Sequence, residues 1–288
     1  MEKTQVMPRS IPARRSRWRR RLARGQFLVS MRSAMRIWAG SLRRAAPIDD
    51  DGDAAAVGRD VFLEMHSEAP ARIILDVDAT DDPLHGNQEG KFFHGYYKAY
   101  CYLPLYIFCG DHLLCARLRQ SNNDGAAGTV EEVERIVERI RTCWPDTRII
   151  VRGDSGFYRE DLMVWCEDHY VDFLLGLARN RRLELEVSEE LALAKALYQC
   201  SEKASRVFRD FCYKPLKTWR WHRRVVGKAE HLGKGANPRF VVTSLKAGEH
   251  DARELYEKMY CARGEMENRI KEQQLMLFAD RTSTQDVQ

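Results

Sequence analysis

The sequence predicts an α/β fold: a mixed sheet flanked by helices and interrupted by a β-rich insertion before a long final helix. Three observations predict it. Two apolar runs of strand length end in acids, Ile73-Ile74-Leu75 leading to Asp78 and Ile149-Ile150-Val151 leading to Asp154. Between them, Val133, Ile136, Val137 and Ile140 recur at helical spacing. Downstream, a strand-like basic stretch, 205–245, precedes a charged segment of helical character.

In order, 1–70 reads as a basic, poorly structured arm, with a weak amphipathic helix over Gln26–Leu42 and a linker over Asp49–Ala56. Ala71–Thr80 is the first strand, and Asp81-Asp82-Pro83 a turn after it. Tyr96–Cys109 reads as the second strand, and Leu113–Gln120 as its antiparallel neighbour across the turn at Gly110-Asp111. After the polar loop Ser121–Gly128 comes the amphipathic helix Thr129–Trp144, with Glu131 and Glu132 in its first turn. Thr147–Val151 is a strand, Arg159–His169 a helix and Val171–Leu177 a strand. Three consecutive strands, then helix, strand, helix, strand: that order matches the ribonuclease-H-like fold. The core is placed at 71–180 and a basic β-rich insertion at 181–246, its first part (183–204) helical. The stretch 247–288 holds the helix that completes the core, roughly Ala247–Phe278.

The net charge of +5 is uneven. Residues 1–50 carry thirteen Lys/Arg against three Asp/Glu, leaving the remainder mildly acidic, and a basic arm on an acidic body suits a polyanionic partner. The eight cysteines have no C-x-x-C spacing and sit mostly in apolar runs. They read as reduced core thiols of a cytoplasmic protein, with neither a disulfide framework nor a zinc site. No apolar stretch approaches the roughly 18 residues a membrane span needs.

Chemistry is expected from a trio of carboxylates: Asp78, Asp154 and Glu267. An acid at the end of a buried strand reaches solvent while its backbone stays fixed, and two of them with a helical acid can converge on divalent cations, the usual equipment for phosphodiester chemistry. Taken singly, acids after strands are ordinary turn residues. Asp76 shares the face of Asp78, with Val77 packed on the other, and the metal role falls to Asp78 alone among the acids of its segment. On the last helix Tyr260, Arg263 and Glu267 stand at i, i+3 and i+7, and Lys271 and Gln274 continue the face. Glu would ligate the cation, Arg fork onto a phosphate oxygen, Lys supply a point charge and Tyr stack or donate. A solvated helix with i,i+4 ion pairs is the plainer alternative.

The block from Leu75 to Ser121, the RGDSGFYRED stretch at 152–161 and YCARGEMENRIKEQQ at 260–274 resemble bacterial insertion-sequence transposases of the DDE type, in the subgroup with a Tyr-x2-Arg-x3-Glu-x6-Lys signature. The resemblance covers about 70–280. It puts the family's acids on Asp78, Asp154 and Glu267 and the signature Tyr and Arg on Tyr260 and Arg263. Position 274 is Gln274 where the signature has Lys, and Lys271 stands one turn earlier. It implies a ribonuclease-H-like catalytic domain with a β-rich insertion, binding two Mg²⁺ (Mn²⁺ substituting) roughly 3.5–4 Å apart. It further implies cut-and-paste cleavage at transposon terminal inverted repeats and joining to target DNA. A homodimer on double-stranded DNA, associated with the nucleoid, would do this without a covalent protein–DNA intermediate. The 1–70 arm and the early end after the Glu helix suggest a copy truncated at both ends. Hence the alternative: a catalytically silent remnant that binds DNA or pairs with an intact enzyme.

In the insertion, Lys217 to Arg224 interleaves aromatics with cations. As a strand it would put Trp219, Trp221 and Arg223 on one face and Arg220, His222 and Arg224 on the other, to grip phosphates and stack an unpaired base. A Trp packed beneath the ribbon is the alternative. His85 and His94 read as turn histidines within reach of DNA phosphate.

Overall fold

A computed structural model describes residues 54–84, 91–264, 266 and 268–271. Most of the expected arm, including the helix expected over 26–42, lies outside the described residues, as do His85, Glu267 and Gln274. The arm's end differs from expectation. Ala54–Glu64 forms helix α1, because Phe62 has a place in the core, 5.6 Å from the Trp144 ring and 2% exposed.

The main sheet is built on β1 (Arg72–Ala79), β5 (Leu105–Cys109), β6 (His112–Arg117), β7 (Arg148–Gly153) and β8 (Asp172–Leu177). Their spatial order is β6-β5-β1-β7-β8. β1, β7 and β8 run parallel, and β5 pairs antiparallel with both β1 and β6. A large mixed sheet flanked by helices is what a ribonuclease-H-like domain requires. β2 (Asp82–Pro83), β3 (Phe92–His94) and β4 (Ala99–Tyr102) form a separate small sheet in the order β2-β4-β3. Two expectations change here. Asp82-Pro83 is an edge strand rather than a turn, and the single strand expected over Tyr96–Cys109 is two. Pro104, without an N–H to donate, falls between β4 and β5, where the chain changes sheets.

One face of the sheet is covered by α2 (Thr129–Cys143) and α3 (Glu160–Asp168), packed over Leu75, Val77, Ile149 and Val151. The helix expected over 183–204 is two, α4 (Arg181–Glu186) and α5 (Ser188–Ser201), broken at Val187, which turns inward and is fully buried. β9 (Ser205–Tyr213), β10 (Arg223–Leu232), β11 (Gly235–Ala236) and β12 (Arg239–Thr243) follow. They continue the main sheet: β12 pairs with β8, β10 with β12, and β9 with β10, each antiparallel.

The last helical segment lies on the opposite face. It starts at Ala252 rather than Ala247, capped by the Asp251 side chain accepting from Glu254 N at 3.0 Å. A short turn α6 (Ala252–Glu254) opens into a π-helical stretch over Leu255–Tyr260 and tightens to 3₁₀ over Cys261–Arg263. Leu255, Tyr256 and Met259 pack on Ile150, Leu174, Val226 and Val241, and Met266 and Ile270 reach Tyr106 and Phe108. The segment therefore crosses the sheet from the insertion strands to β5. All eight cysteines are free: Cys101, Cys109, Cys115 and Cys166 are buried, while Cys143, Cys200, Cys212 and Cys261 are exposed rather than in the core. Among the described residues no helix is long and apolar enough to cross a membrane.

Candidate active site

Val77 and Gly153 are register partners in the parallel pair β1–β7, so the next residues stand side by side: Asp78, still in β1 opposite Tyr106 of β5, and Asp154, just past the end of β7. Pleating sorts the rest. Val77 and Val151 enter the core under α2 and α3, whereas Asp76, Asp78, Ile150 and Arg152 face the final helical segment.

Asp78 stands 3.8 Å from Arg263, its Oδ2 to Nη1, and both side chains are largely shielded (14% and 15% accessible). Asp154 Oδ1 accepts from Gly156 N at 2.7 Å, which pins the carboxylate at the strand end. A Cβ on Gly156 would come within 2.9 Å of that oxygen. Tyr260 reaches the same place from the other side. A Cβ on Gly176 would meet its hydroxyl at 2.5 Å, Ser155 N at 2.8 Å and Asp154 C at 3.0 Å, so the phenol occupies a notch that only glycine leaves. Burial pushes the Tyr260 phenol up, Arg263 opposes the rise and Asp154 adds to it, so the group is a neutral O–H donor. The 3₁₀ turn accounts for the pairing of these two residues, because i and i+3 eclipse in that geometry and Tyr260 and Arg263 are so spaced.

Tyr97 approaches from the turn between β3 and β4. Burial first, and then the negative charges of Asp81, Asp78 and Asp154, push its phenol up to about 12. The mouth is framed by the 121–128 loop, which Arg119 ties down by donating to Leu103 O and Gly125 O (3.0 Å each) and to Ala127 O. Asp124 of that loop pairs with Arg159 at 2.9 Å.

Behind the two acids lies a buried ion pair. Arg152 donates to both Asp76 oxygens, Nε to Oδ1 at 2.5 Å and Nη2 to Oδ2 at 2.7 Å, and through Nη1 to the Met259 carbonyl. Asp76 and Arg152 are register partners. The fork thus ties two strands to the π-helical stretch one residue before Tyr260.

Of the residues expected at the site, the fold brings together Asp78, Asp154, Tyr260 and Arg263. Lys271 is an exposed helical residue farther along, and Glu267 lies outside the described residues. Among the described residues no group of three His, Cys, Asp or Glu is placed to hold a metal. The ribbon expected at 217–224 is differently made: β10 begins only at Arg223, and what precedes it is irregular. Trp219 is 4% exposed and packs edge-on against Tyr213 at 5.9 Å. Arg223 is buried between Glu160 and Glu167 of α3, at 2.6 and 2.7 Å. Arg224 serves Asp210, Leu245 O and His250 O. The Trp221 indole donates to Glu167 and the Arg220 amide to Glu160, although both side chains stay exposed. Two α3 carboxylates draw Arg223 inward, where a desolvated charge must be paired. His94 lies in β3, 4.9 Å ring to ring from Tyr97.

Sequence reasoning missed Tyr97, the Asp76–Arg152 fork and Gly176. A signal for the fork existed: Asp76 and Arg152 each stand two residues before an expected site acid, so strand alternation puts opposite charges on one face.

A family model described as transposase DDE domain group 1 matches residues 27–288, so the match begins well before the stretch of about 70–280 over which the motifs show the resemblance. No curated protein matches the chain.

Proposed function

The chain belongs to the transposase DDE domain group 1 family, and from that premise we propose that it cleaves and joins DNA strands with a triad of Asp78, Asp154 and Glu267, in the subgroup with the Tyr-Arg-Glu-Lys signature. The observation that carries this reading is the pair of carboxylates at the ends of adjacent parallel strands, with the Arg263 guanidinium 3.8 Å from one of them.

The donors fit a hard divalent cation. Asp78 and Asp154 offer carboxylate oxygens only. Asp78 and Asp154 would hold Mg²⁺ or Mn²⁺, with Glu267 as the third carboxylate from the final helical segment. Bound there, the ions would supply Lewis acidity and an activated water or 3′-hydroxyl. The chain's own groups position the phosphodiester. Arg263 forks onto a non-bridging oxygen once DNA arrives, the neutral Tyr260 phenol donates a hydrogen bond, and the Asp154–Gly156 turn keeps the second acid from rotating away. Hydrolysis breaks the P–O3′ bond and leaves a 3′-hydroxyl, which in strand transfer attacks a target phosphorus. The substrates are the element's terminal repeats and target DNA, bound by a homodimer at the nucleoid, and Lys271 stands in for the signature Lys.

The test compares the parent with Asp78→Ala and Glu267→Ala, by Mn²⁺-induced change in melting temperature and by nicking of supercoiled DNA. A melting shift and nicking in the parent, both lost in each variant, are expected. Cooperative melting with DNA binding but neither metal response nor nicking would replace this reading with a DNA-binding remnant.

A further inference from the structure

Stacking chemistry was expected at 217–224, where the fold instead packs Trp219 and pairs Arg223 and Arg224. Trp221 stays exposed there, but most of the exposed aromatics stand elsewhere. Of the six exposed aromatic side chains among the described residues, four (Phe92, Phe93, Tyr96 and Tyr100) lie on the β3–β4 hairpin, and Tyr96 is 83% exposed.

The hairpin is held from its inner side. Cys101 and Tyr102 are buried, Ser121 Oγ donates to Phe92 O at 3.0 Å, and Leu84 N donates to Tyr100 O at 3.0 Å. Its other side carries Phe93 and Tyr100, register partners whose rings meet edge-on at 5.6 Å. Lys91 Nζ sits 5.7 Å from the centre of the Tyr100 ring. The turn is closed by Lys98 N donating to His94 O at 2.8 Å, with Lys98 itself at φ 53°, a left-handed conformation uncommon outside glycine. That turn presents Tyr96 to solvent while its neighbour Tyr97 points to the field of Asp78, Asp81 and Asp154. The hairpin is tied to the acid-bearing strand, because β4 pairs with β2, which begins four residues after Asp78, and an exposed, partly strained aromatic surface in that place marks an interaction site rather than an ordinary solvated face.

We propose that this outer face of the β3–β4 hairpin is a stacking platform for unpaired bases of the DNA strand led to Asp78 and Asp154, with Lys91 and Lys98 on its phosphates. The inference rests on the reading of the chain as a DNA strand-cleaving enzyme and names the form of DNA that it grips. Aromatic faces recognise the π-faces of bases, which a duplex keeps stacked and a single strand exposes. The Lys91 ammonium beside the Tyr100 ring, and the exposed Lys98 in the turn, complement the phosphates between those bases. A second copy of this face is a poorer occupant, because a two-fold contact would bring the lysines of both copies together.

The full-length chain would be titrated, without divalent metal so that nothing is cut, against a labelled blunt duplex and the same duplex carrying an unpaired 3′ tail. Salt would be raised until phosphate contacts are largely screened. The parent is expected to prefer the tailed DNA by roughly tenfold or more, the scale of one or two stacked bases. Tyr96→Ala, alone and with Phe93→Ala, should remove the preference at unchanged melting temperature, and Tyr96→Trp should keep it. Equal binding of both DNAs by the parent, or a preference that survives the alanine changes, overturns the platform while leaving the enzyme reading intact. A parent that binds neither DNA at any salt overturns both. A patch whose alanine variants dissociate an oligomer without touching the preference is a self-contact, and the platform is wrong.

Discussion

Glu230 is a carboxylate 3% exposed on β10, accepting from Arg206 Nε at 2.7 Å and from Lys228 Nζ and Asn237 Nδ2 at 2.8 Å. Burial works against its ionisation, but the hydrogen bonds from Lys228, Arg206 and Asn237 prevail and hold its pKa at about 2. The folded value lies below the unfolded one, so the stabilisation is fully present above the ordinary carboxylate range and is lost as pH falls through about 2. Its size is on the order of 3 kcal/mol. In urea unfolding, the parent should exceed Glu230→Gln near neutrality, and the gap should close progressively between about pH 4.5 and about pH 2. A gap that stays constant across that window refutes the assignment. Lys228, two residues earlier on the same strand, is legible from alternation, but Arg206 and Asn237 reach Glu230 only through the β9–β10 pairing and the β10–β11 turn.

At the scale of elements, the final helical segment is where function depends on irregular geometry. A π-helical stretch widens the turn, and the N–H of Cys261 reaches back five residues to Tyr256 O. Arg152 supplies a donor to Met259 O within that stretch. Arg152→Met would take the guanidinium fork away from the buried, charged Asp76, at a cost of about 3–5 kcal/mol. The double variant Asp76→Leu/Arg152→Met removes both charges and should recover most of the loss in melting temperature. It should not recover nicking, because the donor that fixes the segment ahead of Tyr260 and Arg263 stays absent. Full recovery of nicking along with stability would reduce the fork to a packing role.

Across the whole molecule, one continuous sheet carries both the acid-bearing strands and the insertion strands, so the insertion is joined to the core by a ladder, β8 to β12, rather than by a linker. Arg206 bridges further, from β9 to Glu257 of the final segment at 3.4 Å. The charge is distributed differently: thirteen of the 47 basic residues fall within the first fifty positions. If that segment grips the DNA backbone, affinity for duplex DNA should fall steeply with salt, and removal of residues 1–50 should flatten the slope by about 0.9 for each phosphate no longer neutralised. An unchanged slope would place the phosphate-binding cations on the body of the protein.

The sequence by itself determined what depends on short periods: the strands ending at Asp78 and Asp154, the amphipathic helix α2, and the sharing of one face by Asp76 and Asp78. Those patterns repeat every two or 3.6 residues and need no distant partner. It also carried enough motif to point to the family. Tertiary structure alone decided pairings such as Arg223 between two α3 carboxylates and Arg224 on Asp210. It likewise decided that Trp219 packs while Tyr96 stands exposed, and that Tyr260 finds its place because Gly176 lacks a side chain. The physical reason is that burial and ion pairing are set by strand register and by what lies across the sheet, and neither is written in the local pattern of the chain.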